Sequence, residues 1–570
     1  MNGIDQRTNH AKSPSIAVLA AAGVALQWLS QPPLAWWPIA LVALVPWLMI
    51  VGRAECIMRR GGLAIYLAGL VYWLLSLQGL RHAHPAIYAG WFALGAYLSI
   101  YGVLFVALSR RLIRMRVPLW VTAPVIWVGL ECVRNYFATG ISAAMLGHTL
   151  ADVPLMIQIA DMFGTYGVSF VVVAINVAVY ELIANRWPWS VLTQPKQVPW
   201  PAMAFAIALT LGTLVYGQFR LNEMPDGDEL ATFALIQRSE VVEYVQDPSR
   251  EADMFYNYAR QSMSAVIGTE KTVHAIVWPE SMLSGGMFWV DDQENALPPA
   301  EINASTESFR SSIDYQQNQF SLRATDLQNA FATSNTGRSK PHLIGGCGVV
   351  RYTKDPQMFS GMINIDSSGK VANWYGKTHR VMLGEYIPVL SALPFMRPFI
   401  PLGLRLSIGP GPQRFQVGDT IVSPNICIET AVERVAVNHL AQLRDGGGLP
   451  DVIVTVTNDG WFDDSSVIDH HLRCAQLVAV GCRRPLLSAA NNGPTAWIDS
   501  HGQIVQQLET GSDGSILATP QRDDRISAYL IIGDWPARIL ALVCIGLMGA
   551  AGRDWWRKRK TRQAIETTKS

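Results

Sequence analysis

Charged residues are scarce in this chain of 570 residues: Asp, Glu, Lys and Arg make up 16% of it, and hydrophobic residues make up 50%. A soluble domain carries roughly 25% charged residues. The formal net charge is only +1, so the strongly basic surface of a nucleic-acid-binding protein is missing and no such partner is predicted. The seven Cys residues contain no CxxC pair, and their spacing alone assigns no disulfide.

The shortage of charge is confined to residues 16–217 and 528–552, which contain a series of apolar runs. The runs are Ile16–Leu29, Leu34–Val51, Leu63–Leu80, Ala86–Leu108, Pro118–Val133, Tyr166–Ile183, Trp200–Tyr216 and Trp535–Ala551. Several are near ~17 residues, the lower limit for a spanning helix. We expect about eight spans, to within one either way. The first run is followed directly by further spans, which favours a retained helix over a cleaved signal peptide.

Basic residues mark alternate loops between these runs. They are Arg53, Arg59 and Arg60; Arg110, Arg111, Arg114 and Arg116; Arg186 and Lys196; and, in the tail, Arg553, Arg557, Lys558, Arg559 and Lys560. By the positive-inside rule both termini are predicted to be cytoplasmic. An odd number of spans then precedes residues 218–530, so this part is predicted to face the periplasm from the inner membrane of a Gram-negative cell.

The chain is thus predicted to divide into a membrane segment (1–217), an extracytoplasmic domain (218–530) and a last span with a basic tail (531–570). Apolar strands alternate with helical patterns through the middle part, which predicts an α/β domain of about 290 residues. We expect residues 284–340 to be a polar, irregular surface insertion.

Three chemically distinct side chains lie at predicted strand ends in this domain. Cys427 lies where a strand gives way to a helix starting near Thr430, and the helix dipole favours a thiolate there. Glu280 follows a buried strand, at the edge where α/β domains collect catalytic groups. Lys377 ends another strand. Each alone is more often a buried Cys or a solvated charge. Together they predict acyl transfer: the carboxylate accepts the thiol proton, the thiolate attacks a carbonyl, and the ammonium stabilises the oxyanion.

The segments that carry these residues resemble the Glu–Lys–Cys motifs of the nitrilase superfamily. They are Val277–Ser281, Tyr375–Arg380 with Gly384–Pro388, and Asn425–Glu429. Three further features resemble its membrane branch, the apolipoprotein N-acyltransferases. They are Thr457–Phe462; His470-His471 with Arg483-Arg484-Pro485 and Asn491-Asn492-Gly493; and Gly533-Asp534-Trp535-Pro536 before the last span.

The resemblance implies an α-helical transmembrane bundle plus an α/β nitrilase-like domain, an α-β-β-α sandwich, with no cofactor and no metal. It implies that Cys427 takes the sn-1 acyl chain of a phospholipid, typically phosphatidylethanolamine. The α-amine of a diacylglyceryl-cysteine lipoprotein then attacks the thioester. A monomer is expected. Supporting roles would fall to Glu385 and Glu429, two acids expected beside Lys377. Trp461 and Phe462 would line the lipid entrance, and Tyr386 is a further expected substrate contact.

An apolar loop over Ile387–Leu406 follows the Lys377 motif, and we expect it to dip into the membrane and exclude water from the thioester. The chain departs from the family pattern at Arg238, at Gln246 in place of Trp, and at Ile428 in place of Tyr. These departures leave the Glu–Lys–Cys set intact and bear on lipid choice and acceptor fit.

Three other interpretations are open on sequence alone. A membrane-anchored amidase would use the same residues to hydrolyse its thioester. A transporter or scaffold would use ionisable residues within the spans, for which Glu131 and Asp161 are the candidates. A metal site is conceivable in the run of Asp459, Asp463, Asp464, Asp469, His470 and His471, although no standard ligand spacing is present.

Overall fold

The fold is given by a computed structural model. It describes residues 14–53, 55, 57–84, 87–184, 200–223, 225, 227–242, 247–299, 302–388, 400 and 402–569.

The N-terminal part is helical. Its helices are α1 (Ile16–Ser30), α2 (Trp37–Ala40), α3 (Val45–Val51), α4 (Arg59–Ser76), α5 (Ile87–Arg114), α6 (Leu119–Tyr136), α7 (Pro154–Ile157), α8 (Ala160–Phe163), α9 (Thr165–Ala184) and α10 (Trp200–Asn222). Short 3-10 helices lie at Gln78–His82 and Leu146–Leu150. Among the described helices, four are long and apolar enough to cross a membrane: α5, α9, α10 and the C-terminal helix over Trp535–Arg557.

Every predicted apolar run contains helix, but the run Leu34–Val51 is not one continuous α-helix. It breaks between α2 and α3, where Pro46 supplies no N–H to a continuing helix. Asn176 of α9 compensates for the break: its Nδ2 donates to Ala40 O at 2.8 Å, and its Oδ1 accepts from Leu44 N at 2.8 Å. Backbone groups freed inside an apolar bundle need such partners.

The middle part contains two β-sheets. Their strands are β1 (Phe233–Gln237), β2 (Ala275–Trp278), β3 (Trp289–Asp291), β4 (His342–Arg351), β5 (Gln357–Ile365), β6 (Val371–Gly376), β7 (Phe415–Val417), β8 (Thr420–Ile426), β9 (Val452–Asn458), β10 (Leu486–Asn491), β11 (Ala496–Ile498), β12 (Ile504–Gln507) and β13 (Gly514–Ala518). One sheet has the order β13-β1-β2-β4-β5-β6, with β3 paired to β4; the other has the order β12-β11-β10-β9-β8-β7.

The two sheets pack face to face through apolar side chains. Phe233, Val277 and Ile344 of the first sheet share a buried cluster with Val422 and Val454 of the second. Helices cover both outer faces. They are α11 (Pro248–Ile267) and α12 (Thr306–Ser334) on the first sheet, and α13 (Ile428–Ala431), α14 (Glu433–Asp445), α15 (Ser466–Cys482) and α16 (Ala528–Ile532) on the second. The predicted α-β-β-α sandwich is therefore confirmed.

The prediction for residues 284–340 is wrong. Instead of an irregular insertion, this segment forms β3 and the long helix α12. Phe309, Ile313, Phe320 and Phe331 are buried on one face of α12. Burial of this apolar stripe makes α12 a structural layer of the sandwich.

The sandwich and the helical part are joined by buried contacts. The C-terminal helix α17 (Trp535–Lys569) packs against α6, so the chain returns to the bundle. Asp161 of α8 pairs with Arg483 of the sandwich at 2.7 Å and with Arg220 of α10 at 2.7 Å. Asp161 is thus a structural ion-pair partner, which removes one of the two residues on which a transporter was considered. The predicted domain boundaries at 217/218 and 530/531 stay predictions.

Candidate active site

Cys427 occupies a sharp turn between β8 and α13. Its backbone has φ +50° and ψ −115°, in the region that disfavours residues with a Cβ, and it caps the N-terminus of α13. Its N–H donates to Val456 O at 2.9 Å. Such strain is typical of functional turns that expose one side chain. The expected strand-to-helix elbow is confirmed, and Cys427 is a free thiol.

Glu280 follows β2 directly. Its carboxylate accepts a hydrogen bond from Ser360 Oγ at 3.2 Å and from Lys377 Nζ at 3.2 Å. Gly346 of β4 permits this placement, because a Cβ there would lie 2.5 Å from Glu280 Cα. No feature of the sequence pointed to Ser360, which lies within β5, far from the motifs.

Lys377 follows β6 and is 2% exposed. Its ammonium is held between two carboxylates, Glu280 at 3.2 Å and Glu385 at 2.6 Å. The second oxygen of Glu385 accepts from Val381 N at 2.8 Å, which fixes the orientation of the carboxylate. The structure thus brings together Glu280, Lys377 and Glu385.

The protonation states follow from burial and these charges. Burial favours a neutral amine, but the charges of Glu280 and Glu385 outweigh it and raise the pKa of Lys377 well above its usual value. Burial, helped by Glu385, raises the pKa of Glu280 in spite of Lys377. Burial and then Glu280 raise the pKa of the Cys427 thiol, which Lys377 opposes. The thiol also hydrogen-bonds with the Thr457 side chain.

These directions correct one expectation. The helix dipole was expected to favour a resting thiolate, but Cys427 is a thiol whose pKa lies above the usual range. Burial in low dielectric and the charge of Glu280 disfavour the thiolate, and Lys377 offsets them only in part. The proton must therefore leave as the sulfur attacks, and Glu280 is the nearby base with a raised pKa.

Glu429, expected as a supporting acid beside Lys377, bonds to the residue that follows it, Thr378, while the ion pairs of Lys377 are with Glu280 and Glu385. The fully buried carboxylate of Glu429 accepts from Tyr375 OH at 2.7 Å and from the backbone N–H of Thr378 at 2.7 Å, His379 at 3.1 Å and Ile426 at 2.9 Å. So many hydrogen bonds hold the Glu429 carboxylate in one position. It ties the loop after Lys377 to the strand before Cys427.

The loops around these residues touch the helical part. The 3-10 helix Asp459–Trp461 contacts the 3-10 helix Gln78–His82 of the bundle. A Cβ at Gly79 would lie 1.7 Å from Ser465 Oγ, so the two loops are in close contact. Trp461 and Phe462, expected at the lipid entrance, are half-buried within this contact region.

Tyr386 lies on the loop that also carries Glu385. The Arg380 guanidinium stacks over its ring at 4.6 Å from the centroid, a cation–π contact. In the expected membrane-dipping loop Ile387–Leu406, residues 389–399 and 401 lie outside the described part of the chain.

Of the departures from the family pattern, Gln246 also lies outside the described part. At the departure Arg238, the guanidinium pairs with Glu240 at 2.8 Å and with Asp513 at 3.2 Å.

Of the run considered for a metal, Asp459 and His471 lie close together, with Oδ1 and Nδ1 3.8 Å apart. Asp463 and Asp464 are exposed, and Asp459 also accepts from Thr457 Oγ1 at 3.0 Å. Within the described residues, the group close enough to share an ion is a different one, His148, Glu433 and Cys474. Met145 N donates to His148 Nδ1 at 3.2 Å, so Nε2 carries the proton and offers no lone pair to a metal.

Comparison with known proteins identifies the family. A family model described as the apolipoprotein N-acyltransferase N-terminal domain matches residues 22–178, and the carbon-nitrogen hydrolase model matches residues 243–529. An apolipoprotein N-acyltransferase of Rhodopirellula baltica is 44% identical over 96% of this chain and 99% of its own length. The chain belongs to the apolipoprotein N-acyltransferase family. It is therefore an acyltransferase with transmembrane helices and a carbon-nitrogen hydrolase domain, as the resemblance implied.

A more distant family member, from Geobacter metallireducens, is 29% identical over 86% of this chain and 85% of its own length. Among solved structures, Saccharomyces cerevisiae Nit3 of the nitrilase superfamily covers 54% of this chain and 96% of its own, at 16% identity and a TM-score of 0.35. An amidase from Nesterenkonia sp. covers 53% and 96%, at 15% identity and a TM-score of 0.32.

Proposed function

We propose that the protein transfers an acyl chain from a membrane phospholipid to the N-terminal amine of a diacylglyceryl-cysteine lipoprotein, through a thioester on Cys427. The observation that carries this proposal is the ammonium of Lys377, held between Glu280 and Glu385 and close enough for its charge to act on the Cys427 thiol. A fixed, desolvated cation beside a thiol and a carboxylate suits a reaction that passes through an oxyanion.

In the first half-reaction, Glu280 accepts the Cys427 proton as the sulfur attacks the sn-1 carbonyl carbon. Lys377 stabilises the oxyanion. The ester C–O bond then breaks, and the lysophospholipid leaves with the proton from Glu280. In the second half, the lipoprotein amine attacks the thioester carbonyl and gives up a proton to Glu280. The C–S bond breaks, and the thiol recovers its proton.

Both substrates are lipids, so the site must open at the bilayer. The contact between the Asp459–Trp461 segment and the Gln78–His82 helix of the bundle supports this, because Asp459 is also close enough for its charge to act on the Cys427 thiol. We assign Trp461, Phe462 and Tyr386 to the lipid entrance. Phosphatidylethanolamine as donor, a monomeric state, and an inner-membrane location with a periplasmic catalytic domain and cytoplasmic termini belong to the same proposal.

The rival outcome is hydrolysis, as in an amidase. Family membership favours transfer, because the two relatives are named as N-acyltransferases and this chain matches 99% and 85% of their lengths. The test is to incubate the purified protein in vesicles of phosphatidylethanolamine with a synthetic diacylated lipopeptide. We expect the peptide to gain one acyl chain by mass spectrometry, at the expense of the phospholipid. Free fatty acid with unchanged peptide would contradict the proposal.

A further inference from the structure

The start of helix α14 binds the membrane part of the molecule, although it lies only a few residues after the nucleophile. Glu433 accepts from His148 Nε2 at 2.5 Å and from Thr165 Oγ1 at 2.6 Å. The next residue, Arg434, donates to Asn135 O at 2.9 Å and to the backbone carbonyl of Thr139 at 3.0 Å. All four partners belong to the helical part. The end of the elbow is therefore anchored outside the sandwich.

The bond between His148 and Glu433 is strong and well oriented. Both side chains are buried, at 0% and 5% exposure. The hydrogen bond from Met145 N leaves the proton of His148 on Nε2, where it points at the Glu433 carboxylate. The carbonyl of His148 accepts from Arg473 Nη1 at 2.7 Å, which fixes the histidine backbone too. A hydrogen bond to a buried carboxylate is worth roughly twice a neutral one.

Helix α14 transmits this anchor to the proposed catalytic residues. At its start, Val432 N donates to Ile428 O at 2.8 Å, which joins α14 to the short helix that Cys427 caps. Further along, His439 Nε2 and Thr378 Oγ1 lie 2.9 Å apart. Thr378 follows Lys377 directly. One rigid helix thus contacts both the nucleophile elbow and the loop of the oxyanion-stabilising ammonium.

We propose that His148 and Glu433 are positioning residues, which set Cys427 and Lys377 relative to the membrane part where the phospholipid enters. This inference rests on the proposed function. Its physical basis is the sensitivity of acyl transfer to geometry: a shift of about 1 Å can cost roughly 100-fold in rate.

The test measures acylation of Cys427 in a single turnover, by intact mass, as a function of phosphatidylethanolamine content in mixed micelles. In His148→Ala the maximal rate should fall about 10–100-fold, while the half-saturating lipid content changes less than about 2-fold. In His148→Gln the maximal rate should be within about 3-fold of that of the unaltered protein, because the glutamine amide nitrogen can replace the Nε2 donor.

Gln158→Ala is the matched control, because Gln158 is also buried between the two parts. Its side chain accepts from Arg483 Nη1 at 2.7 Å and donates to His501 O at 2.9 Å, away from the elbow. We expect a lower melting temperature and an unchanged acylation rate. If His148→Ala fails to accumulate, Glu433→Gln should still show a loss of rate of about 3–10-fold, because it removes the charge and replaces one of the two acceptor oxygens with a donor.

A normal maximal rate in His148→Ala or Glu433→Gln would overturn the inference. An equal loss of rate in Gln158→Ala would also overturn it, because the loss would then follow from a less stable protein and not from the position of Cys427 and Lys377. Absence of any Cys427 adduct in the unaltered protein would instead overturn the proposed function itself.

Discussion

Two groups of side chains in this molecule each contain a cysteine, a carboxylate and a nitrogen-bearing side chain, and they differ in most other respects. The group that we propose as the active site, called the active-site group below, consists of Glu280, Lys377 and Cys427; the interface group consists of His148, Glu433 and Cys474. Cys427 lies on a strained turn beside a charged ammonium. Cys474 lies inside α15, fully buried, 3.8 Å from a histidine nitrogen that already donates to Glu433.

The comparison teaches that composition does not identify a catalytic group. Burial raises the thiol pKa in both places. A cation opposes the rise in both places, Lys377 at Cys427 and Arg134 at Cys474. Cys427 differs because a backbone turn presents its sulfur, and because its cation is held between two carboxylates, where it can stabilise an oxyanion. In the interface group the proton of His148 is committed to Glu433, so we interpret that group as a joint between the membrane part and the sandwich.

The largest expected effect separates the two cysteines. Cys427→Ala removes the nucleophile, so acylation of the protein and transfer to a lipopeptide should both fall at least about 10³-fold. The measurement is the initial rate of lipopeptide acylation in vesicles, with correct folding checked by the melting temperature. Substantial activity in Cys427→Ala would break the comparison, because the nucleophile would have to be elsewhere.

Lys377→Met tests the cation that distinguishes the active-site group. The loss of a preorganised oxyanion stabiliser should reduce the rate of Cys427 acylation by about 10²–10³-fold. The variant also leaves Glu280 and Glu385 without the ammonium between them, so the pH for half-maximal acylation should rise. A rate within about 3-fold of normal would show that the oxyanion is stabilised by other groups.

Glu385→Gln tests, through the pH dependence of acylation, whether Glu280 is the base. Glu280 works as the base when deprotonated, and burial raises its pKa. Acylation should therefore be retained at high pH and lost as the pH falls through that raised pKa, above the ordinary carboxyl value of about 4.3. The charge of Glu385 adds to the rise. In Glu385→Gln the acidic midpoint should move to lower pH; an unchanged or higher midpoint would contradict the assignment of Glu280.

Cys474→Ala should have the smallest effect on chemistry. The thiol occupies a packed site at the interface, so its removal should cost about 1–2 kcal/mol of unfolding free energy and change the acylation rate less than about 2-fold. Denaturant unfolding and single-turnover acylation measure the two quantities. A loss of acylation as large as that of Cys427→Ala would give the interface group a catalytic role.

The sequence predicted the α/β domain and its proposed catalytic residues better than it predicted the residues that hold them in position. Glu280, Lys377 and Cys427 follow recognisable strand ends, and the structure has the strands there. Glu429 was recognised by resemblance, but two of its three backbone partners, Thr378 and His379, lie in a loop distant in sequence, and pattern alone cannot supply them. His148 and Glu433 are far apart in sequence, and each is an ordinary polar residue in its own segment.

Helix α12 could have been found. Its buried positions, Phe309, Ile313, Gln317, Phe320, Ala324, Gln328 and Phe331, recur at helical spacing. Two glutamines on that face obscured the stripe. They are buried because they bond to backbone groups, as Gln328 Nε2 does to Pro341 O at 2.8 Å. Buried polar residues of this kind are predictable only when their partners are known.

The most direct test of the account is to incubate the purified protein with phosphatidylethanolamine alone and to map any adduct by mass spectrometry. We predict one acyl chain on Cys427, released by hydroxylamine as a thioester should be, and absent in Glu280→Ala. An adduct on Cys474 or on any other residue, or an adduct on Cys427 that forms equally well in Glu280→Ala, would contradict it.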